Sequence, residues 1–111
     1  KEFKIWGSGK PLREFMYVDD LSNCIEFLLG KQTDEDLINV GTGEEISILD
    51  LAKLIKDVIG FSGEIINDLN MPDGNPRKLL DSSLINQLGW KSSIRLEVGL
   101  KNTYEWFLNN N

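Results

Sequence analysis

The 111-residue sequence contains no histidine, one cysteine and three prolines. Without histidine it lacks the commonest metal ligand and the commonest general base. With Cys24 alone it can form neither an internal disulfide nor a cysteine-built zinc site. Metal and triad chemistry are therefore not expected. No apolar run approaches the ~20 residues of a membrane span, and no charged-then-apolar leader opens the chain, so a soluble, cytoplasmic protein without membrane contacts is expected. Positive charge is scarce: 12 Lys and Arg stand against 18 Asp and Glu, a net charge of -6. Such a balance repels nucleic-acid backbones, and nucleic-acid binding is not expected. The hydrophobic content of 41% suits one compact domain with a modest core. The first residue is Lys rather than Met, which is read as a hint that the chain is part of a longer protein.

What is present begins with WGSGKPLREF, Trp6 to Phe15, in which glycine stands beside lysine as in loops that hold phosphates. The spacing fails the Walker A pattern, because Lys4 lies where the first glycine belongs and Pro11 follows Lys10. It also fails the dinucleotide fingerprint, since Leu12 takes the third glycine position after Gly7 and Gly9. Gly41 and Gly43 fail in the same way, with Ile46 at the third position. Neither loop is expected to carry NAD. Positive charge gathers in two places, Lys10 with Arg13 and Arg77 with Lys78.

KEFKIW alternates, with Phe3 and Ile5 on one side, and reads as a half-buried strand ended by the GSGKP turn. REFMYV reads as a second extended run. Asp19 and Asp20 are candidate caps for a helix whose stripe is Leu21, Cys24, Ile25, Leu28 and Leu29, with Gly30 as its stop. LINV reads as a short buried strand before the tight turn GTGEE. Ser47 and Asp50 open a second helix, striped by Ile48, Leu51, Ala52, Ile55, Val58 and Ile59 and closed by Gly60. EII is a further strand, and Leu69 to Lys78 has the composition of a loop. Ser82 to Leu88 is a short helix before Gly89. A last helix from about Leu96 carries Leu96, Leu100, Thr103, Tyr104 and Phe107. Strands alternating with amphipathic helices indicate an α/β domain, α+β if it is an isolated piece, with a few short strands and three to four helices.

Taken in order, WGSGKPLREFMYVDDL, INVGTGEEISILDLAKLI, PDGNPRKLLD, QLGW and a helix ending YEWFL resemble the C-terminal part of the GDP-L-fucose synthases, NADP-dependent epimerase/reductases of GDP-4-keto-6-deoxy-mannose. The likeness runs over nearly the whole chain. The VDD and NVGTG stretches are shared by extended short-chain dehydrogenases generally, whereas PDGNPRKLLD together with WGSGKPLREF is more specific. The resemblance implies a two-part enzyme whose N-terminal Rossmann half binds NADP(H) and carries a Ser-Tyr-Lys catalytic set. Residues 1–111 would then be a single C-terminal substrate-binding domain, with the Rossmann half absent and no cofactor of its own. It implies that Trp6, Arg13, Asp73 and Lys78 contact the GDP-sugar. No catalytic residue is implied here: the family's Cys and His acid/base pair belongs to the absent half, and Cys24 does not match that cysteine. The implied partners are the GDP-sugar, the chain's own Rossmann domain and a second subunit of a homodimer, and the 111 residues alone would be inactive.

Physical chemistry supports these roles as far as it reaches. An arginine fork can bridge two phosphoryl oxygens and a lysine supplies a movable point charge, tasks that fit Arg13 and Lys78. Asp73 in a Pro-Asp-Gly turn could accept from ribose hydroxyls or from a guanine edge, and Trp6 offers a flat face with one N-H donor. Each residue also has a plainer role. Trp6 could be a domain-interface aromatic, Arg13 the partner of Glu14 in a surface ion pair, Asp73 a turn former, and Lys78 solvated charge. Arg77 could hold its loop to an acidic neighbour. Asp19 and Asp20 are better explained as helix caps than as an acid/base pair. Cys24 lies on an apolar stripe and reads as a buried small hydrophobe. Of the aromatics Trp90, Tyr104, Trp106 and Phe107, helical spacing assigns Tyr104 and Phe107 to core packing. The rival functions are another extended short-chain dehydrogenase acting on a UDP- or dTDP-sugar, and a stand-alone module that binds nucleotides or a protein. As an excised piece the chain is expected to expose apolar surface and a strand edge, with self-association or local disorder near its N-terminal strand.

Overall fold

Alternation in KEFKIW does produce a strand, with Ile5 turned inward and its neighbours Lys4 and Trp6 left exposed. The computed structural model describes residues 1–111. In chain order its elements are β1 (Glu2–Trp6), β2 (Leu12–Glu14), α1 (Val18–Leu29), β3 (Glu45–Ser47) and α2 (Ile48–Ile59), followed by β4 (Glu64–Asp68), β5 (Arg77–Lys78), α3 (Ser83–Leu88) and α4 (Leu96–Asn110). The fold is thus α/β, with four helices and two small sheets. In one, β1 pairs in parallel with β4, from Glu2 opposite Glu64 to Trp6 opposite Asp68. In the other, β2 lies between antiparallel β3 and parallel β5.

Local signals explain α2 and α3. Ser47 accepts the Asp50 amide at 3.0 Å and donates to the Asp50 carboxylate at 2.7 Å, and Gly60 ends α2 in the left-handed conformation at φ 66°. Gly89 ends α3 in the same manner. The apolar stripe of α2 lies over β1 and β4, where Ile48, Leu51 and Ile55 line a groove of about 260 Å³ with Phe3, Ile5 and Ile65. Another face of α2 packs on α4. A separate core joins Cys24, Ile85 and Trp90, with Met16, Phe27, Leu28, Ile38, Val40 and Leu88 around them.

Several expectations are corrected. REFMYV forms a strand only over β2, because Phe15 to Tyr17 have no strand beside them; Tyr17, still extended at φ -71° and ψ 143°, is the N-cap of α1. Asp19 and Asp20 are therefore not caps but first-turn residues. Asp20 is buried and accepts the amides of Ser93 and Ile94 and the Ser93 hydroxyl, tying α1 to the segment that enters α4. LINV is not a strand: Ile38 and Val40 are held by packing on the Cys24 core, and Leu37 is exposed. The Leu69–Lys78 loop contains β5 at its end. Phe107 is 52% exposed rather than packed in a core, while Tyr104 is half-buried.

The chain is a slab, 52 × 35 × 18 Å, with a radius of gyration of 16.7 Å. A compact domain of this length would have about 13 Å. Its accessible surface is 8148 Å², where a compact chain of this mass would expose about 6,200 Å². The excess is roughly 1,900 Å², and many large hydrophobic side chains are among the exposed ones. On α1 the side turned from the core carries Val18, Leu21, Ile25 and Leu29, all exposed, at the spacing of a helix-packing seam.

Candidate functional site

The GSGKP turn is built by positions that only glycine fills well. Gly7 and Gly9 have φ of 69° and 72°. A Cβ at Gly7 would strike the Asp73 carboxylate, and one at Gly9 would meet the Leu49 Cβ at 2.8 Å. The turn is pinned on both sides. Gly7 donates its amide to the Asp68 carbonyl at 2.9 Å, while the Gly9 and Pro11 carbonyls accept the Leu49 and Ile48 amides at 2.9 and 3.1 Å. Ser8 donates its amide and its hydroxyl to the two Asp73 oxygens, at 2.7 Å each, and its hydroxyl accepts the Lys10 amide at 3.2 Å. The amides of Gly7, Ser8 and Lys10 are thus committed to the protein, as are the first amides of α2. Of the loop amides only that of Gly9 has no acceptor, so a phosphate beside the loop would have to be met chiefly by side chains.

Those side chains come from β2 and β5. In the parallel pair, Leu12 lies opposite Arg77 and Arg13 opposite Lys78. Residues paired across neighbouring strands project to the same face, so Arg13 and Lys78 share one face, and Arg77 shares the other with Leu12 and Glu14. Arg13 uses Nη1 to bind the carbonyls of Leu12 at 2.7 Å and Asn75 at 2.8 Å. Gly74 leaves room for the rest of the guanidinium, since a Cβ there would lie 3.1 Å from Nη2. Neither Arg13 nor Lys78 is in an ion pair; the pairs are Lys53 with Asp50, Arg77 with Glu45 and Lys101 with Glu97.

The plainer readings resolve unevenly. Glu14 does not pair with Arg13 but accepts the Gly43 amide at 2.6 Å and the Thr42 hydroxyl at 3.5 Å, shaping the GTGEE turn. Arg77 does hold its loop to an acidic neighbour, binding Glu45 through Nε at 2.7 Å and Nη2 at 2.8 Å. That fork draws the Glu45 carboxyl below its ordinary range. Asp73 is exposed and lies in irregular backbone rather than in a turn, and its carboxyl is also held low, first by the Ser8 hydroxyl and amide and further by the charge of Lys10. Cys24 is fully buried, and burial pushes its thiol pKa up.

The structure therefore brings Arg13 and Lys78 side by side and joins Asp73 to the turn that follows Trp6. Trp6 ends β1 in the other sheet with its indole 67% exposed. None of the four residues lines any of the four main cavities. Sequence reasoning missed Ser8 and Glu45, the partners that orient Asp73 and Arg77. The only signal for either was its placement in a glycine turn, between Gly7 and Gly9 or just after Gly43.

The profile of the NAD dependent epimerase/dehydratase family matches residues 1–41. GDP-L-fucose synthase 1 of Arabidopsis thaliana is 46% identical over 110 residues, covering 99% of this chain and 34% of that protein. In sequence and in fold the chain is similar to NAD-dependent epimerase/dehydratase proteins. A GDP-L-fucose synthetase from Naegleria fowleri bound to NADP superposes with a TM-score of 0.91 at 31% identity, over 98% of this chain and 35% of that one. UDP-glucose 4-epimerase of Thermotoga maritima with UDP-glucose gives 0.85 at 31% identity, over 98% and 35%. The chain spans about a third of the length of the epimerase/dehydratase relatives it matches.

Proposed function

We propose that residues 1–111 are the C-terminal, substrate-binding part of an NADP-dependent epimerase/reductase of the GDP-L-fucose synthase type, holding the nucleoside-diphosphate handle of a GDP-sugar. The observation that carries this reading is the cation pair Arg13 and Lys78, opposite one another in register and without a carboxylate partner, on a chain of net charge -6. In an acidic protein an unneutralised pair of cations on one face is a place for an anion. Trp6 and Asp73 flank it as further substrate contacts. The contacts orient a remote part of the substrate, so that binding energy is used to position the sugar for groups supplied elsewhere.

On this reading NADP and the catalytic set belong to a Rossmann half beyond residues 1–111, the 111 residues alone do not turn over substrate, and the intact enzyme is a homodimer. The roughly 1,900 Å² of excess surface fits a domain made to be covered. The test is calorimetry on the intact polypeptide. Arg13→Ala and Lys78→Ala are each expected to lose GDP-sugar affinity and keep NADP affinity, and unchanged sugar-nucleotide affinity in both would overturn the assignment. The likeness to a UDP-glucose 4-epimerase favours one rival, a UDP-sugar substrate. Competition among GDP, UDP and dTDP for the same polypeptide separates the two.

A further inference from the structure

We propose that the Glu45–Arg77 fork is a positioning device that selects Lys78, rather than Arg77, to stand beside Arg13. The proposal rests on the nucleoside-diphosphate reading above and adds two residues to it that touch no ligand.

The selection follows from strand geometry. Arg77 and Lys78 are the whole of β5, and successive side chains of a strand point to opposite faces. Only one of the two can share the face of Arg13. Which one does so is a matter of register, and a slip of one residue exchanges them. A two-residue strand has little ladder with which to hold its register: both residues are exposed, and β5 lies at an edge of its sheet. Side chains must supply what the ladder lacks. Arg77 reaches over β2 to Glu45 on β3, the strand on the far side, and is gripped through two nitrogens. The Glu45 side chain is 16% exposed, on a strand that runs directly into α2, whereas Arg77 is 62% exposed. The fork therefore straps the two-residue strand to the longer edge strand opposite it. With Arg77 committed to the face of Leu12 and Glu14, Lys78 is committed to that of Arg13. Two bonds on the other side of the strap keep the approach to β5 in place: Leu12 donates its amide to the Pro76 carbonyl at 2.9 Å, and Arg13 holds the Asn75 carbonyl. The Lys78 side chain makes no hydrogen bond or ion pair, as expected of the residue the strap presents.

The experiment is a mutant cycle on the intact polypeptide, read as the dissociation constant for GDP by calorimetry, with NADP affinity as the control. Glu45→Gln and Arg77→Gln are each expected to weaken GDP on the order of tenfold, the range of coupled neighbours. In a Lys78→Ala background the same changes are expected to add nothing further. The exchange Glu45→Arg with Arg77→Glu restores the bridge with its charges reversed and is expected to recover most of the affinity, which distinguishes loss of the bridge from general damage. A merely structural role for the fork would lower the melting temperature and leave GDP affinity unchanged, and that overturns the proposal. Effects of Glu45→Gln that are additive with Lys78→Ala overturn it too. The Lys78→Ala single variant separates the levels: if it weakens GDP while Glu45→Gln does not, the positioning role fails and the binding site stands. If Lys78→Ala leaves GDP binding intact, the positioning role fails with it, and if Arg13→Ala does so as well, the nucleotide reading itself fails.

Discussion

Asp73 accepts two hydrogen bonds of 2.7 Å from Ser8, one from its amide and one from its hydroxyl, across 65 residues of chain. The contact closes the PDGNP loop onto the glycine turn with a single carboxylate. It also explains Gly7, whose missing side chain leaves the space that the Asp73 oxygen occupies.

Because the folded carboxyl is held low by these bonds, the latch has a defined dependence on pH. A group with a depressed folded pKa stabilises the fold above its unfolded value, about 3.9 for Asp, and loses that contribution as pH falls through the lower folded value. The melting temperature of Asp73→Asn is therefore expected to fall furthest below that of the unmodified chain near neutral pH. The gap should close between about pH 4 and strong acid. Thermal melts of both proteins across that range measure it, and a gap that stays constant to the lowest pH would show that the charge plays no part.

The small core makes a second outcome sharp. Ile85 and Cys24 are fully buried, and Trp90 closes the cluster. Ile85→Ala is expected to cost about 2–5 kcal/mol, transfer and cavity terms together. Cys24, buried and with its thiol pKa raised, should resist iodoacetamide in the folded chain and react once denaturant is added. Denaturant titration and mass spectrometry read the two effects. Rapid native labelling would mean that α1 lifts from the core far more often than its packing allows.

Short-range features were legible in the sequence because their causes lie within a few residues. The Ser47–Asp50 cap, the left-handed Gly60 and the α2 stripe are all contained in one stretch of chain. Asp20 was misread as a cap because its partners, Ser93 and Ile94, lie 73 and 74 residues away. LINV was misread as a strand because a short apolar run looks the same whether a ladder or helices cover it. The candidate site divides in the same way. The residue types that could meet a diphosphate were visible, and so was the possibility that Arg77 bound an acid, but neither Glu45 nor Ser8 could be named as a partner without the pairing of β2 with β3 and β5.

Surface area leads to a third outcome. Val18, Leu21, Ile25 and Leu29 form an uncovered row on α1, on a chain that exposes roughly 1,900 Å² beyond a compact one. Isolated residues 1–111 are expected to self-associate as concentration rises, and Ile25→Lys to reduce it by placing charge in the row. Light scattering against concentration decides the matter. A monomer at every concentration would show that this surface is tolerated in water.

The fourth outcome concerns the difference between the two cations. Arg13 spends one guanidinium nitrogen on the Leu12 and Asn75 carbonyls, which leaves its remaining N-H groups as a planar donor set held in one orientation. Lysine cannot do both tasks, because its ammonium would be drawn to the carbonyls or to the ligand. Arg13→Lys is therefore expected to lower affinity for a nucleoside diphosphate on the order of tenfold, close to one charge-assisted hydrogen bond. It should also raise amide exchange around Gly74 and Asn75 as the loop loosens. Lys78→Arg keeps its charge on the same face with no internal bond to lose, so its affinity should stay within a few fold of the unmodified protein. Calorimetry and hydrogen exchange on the pair measure the asymmetry. Equal losses from both substitutions would mean that net charge alone recruits the anion and that the fork geometry of Arg13 is incidental.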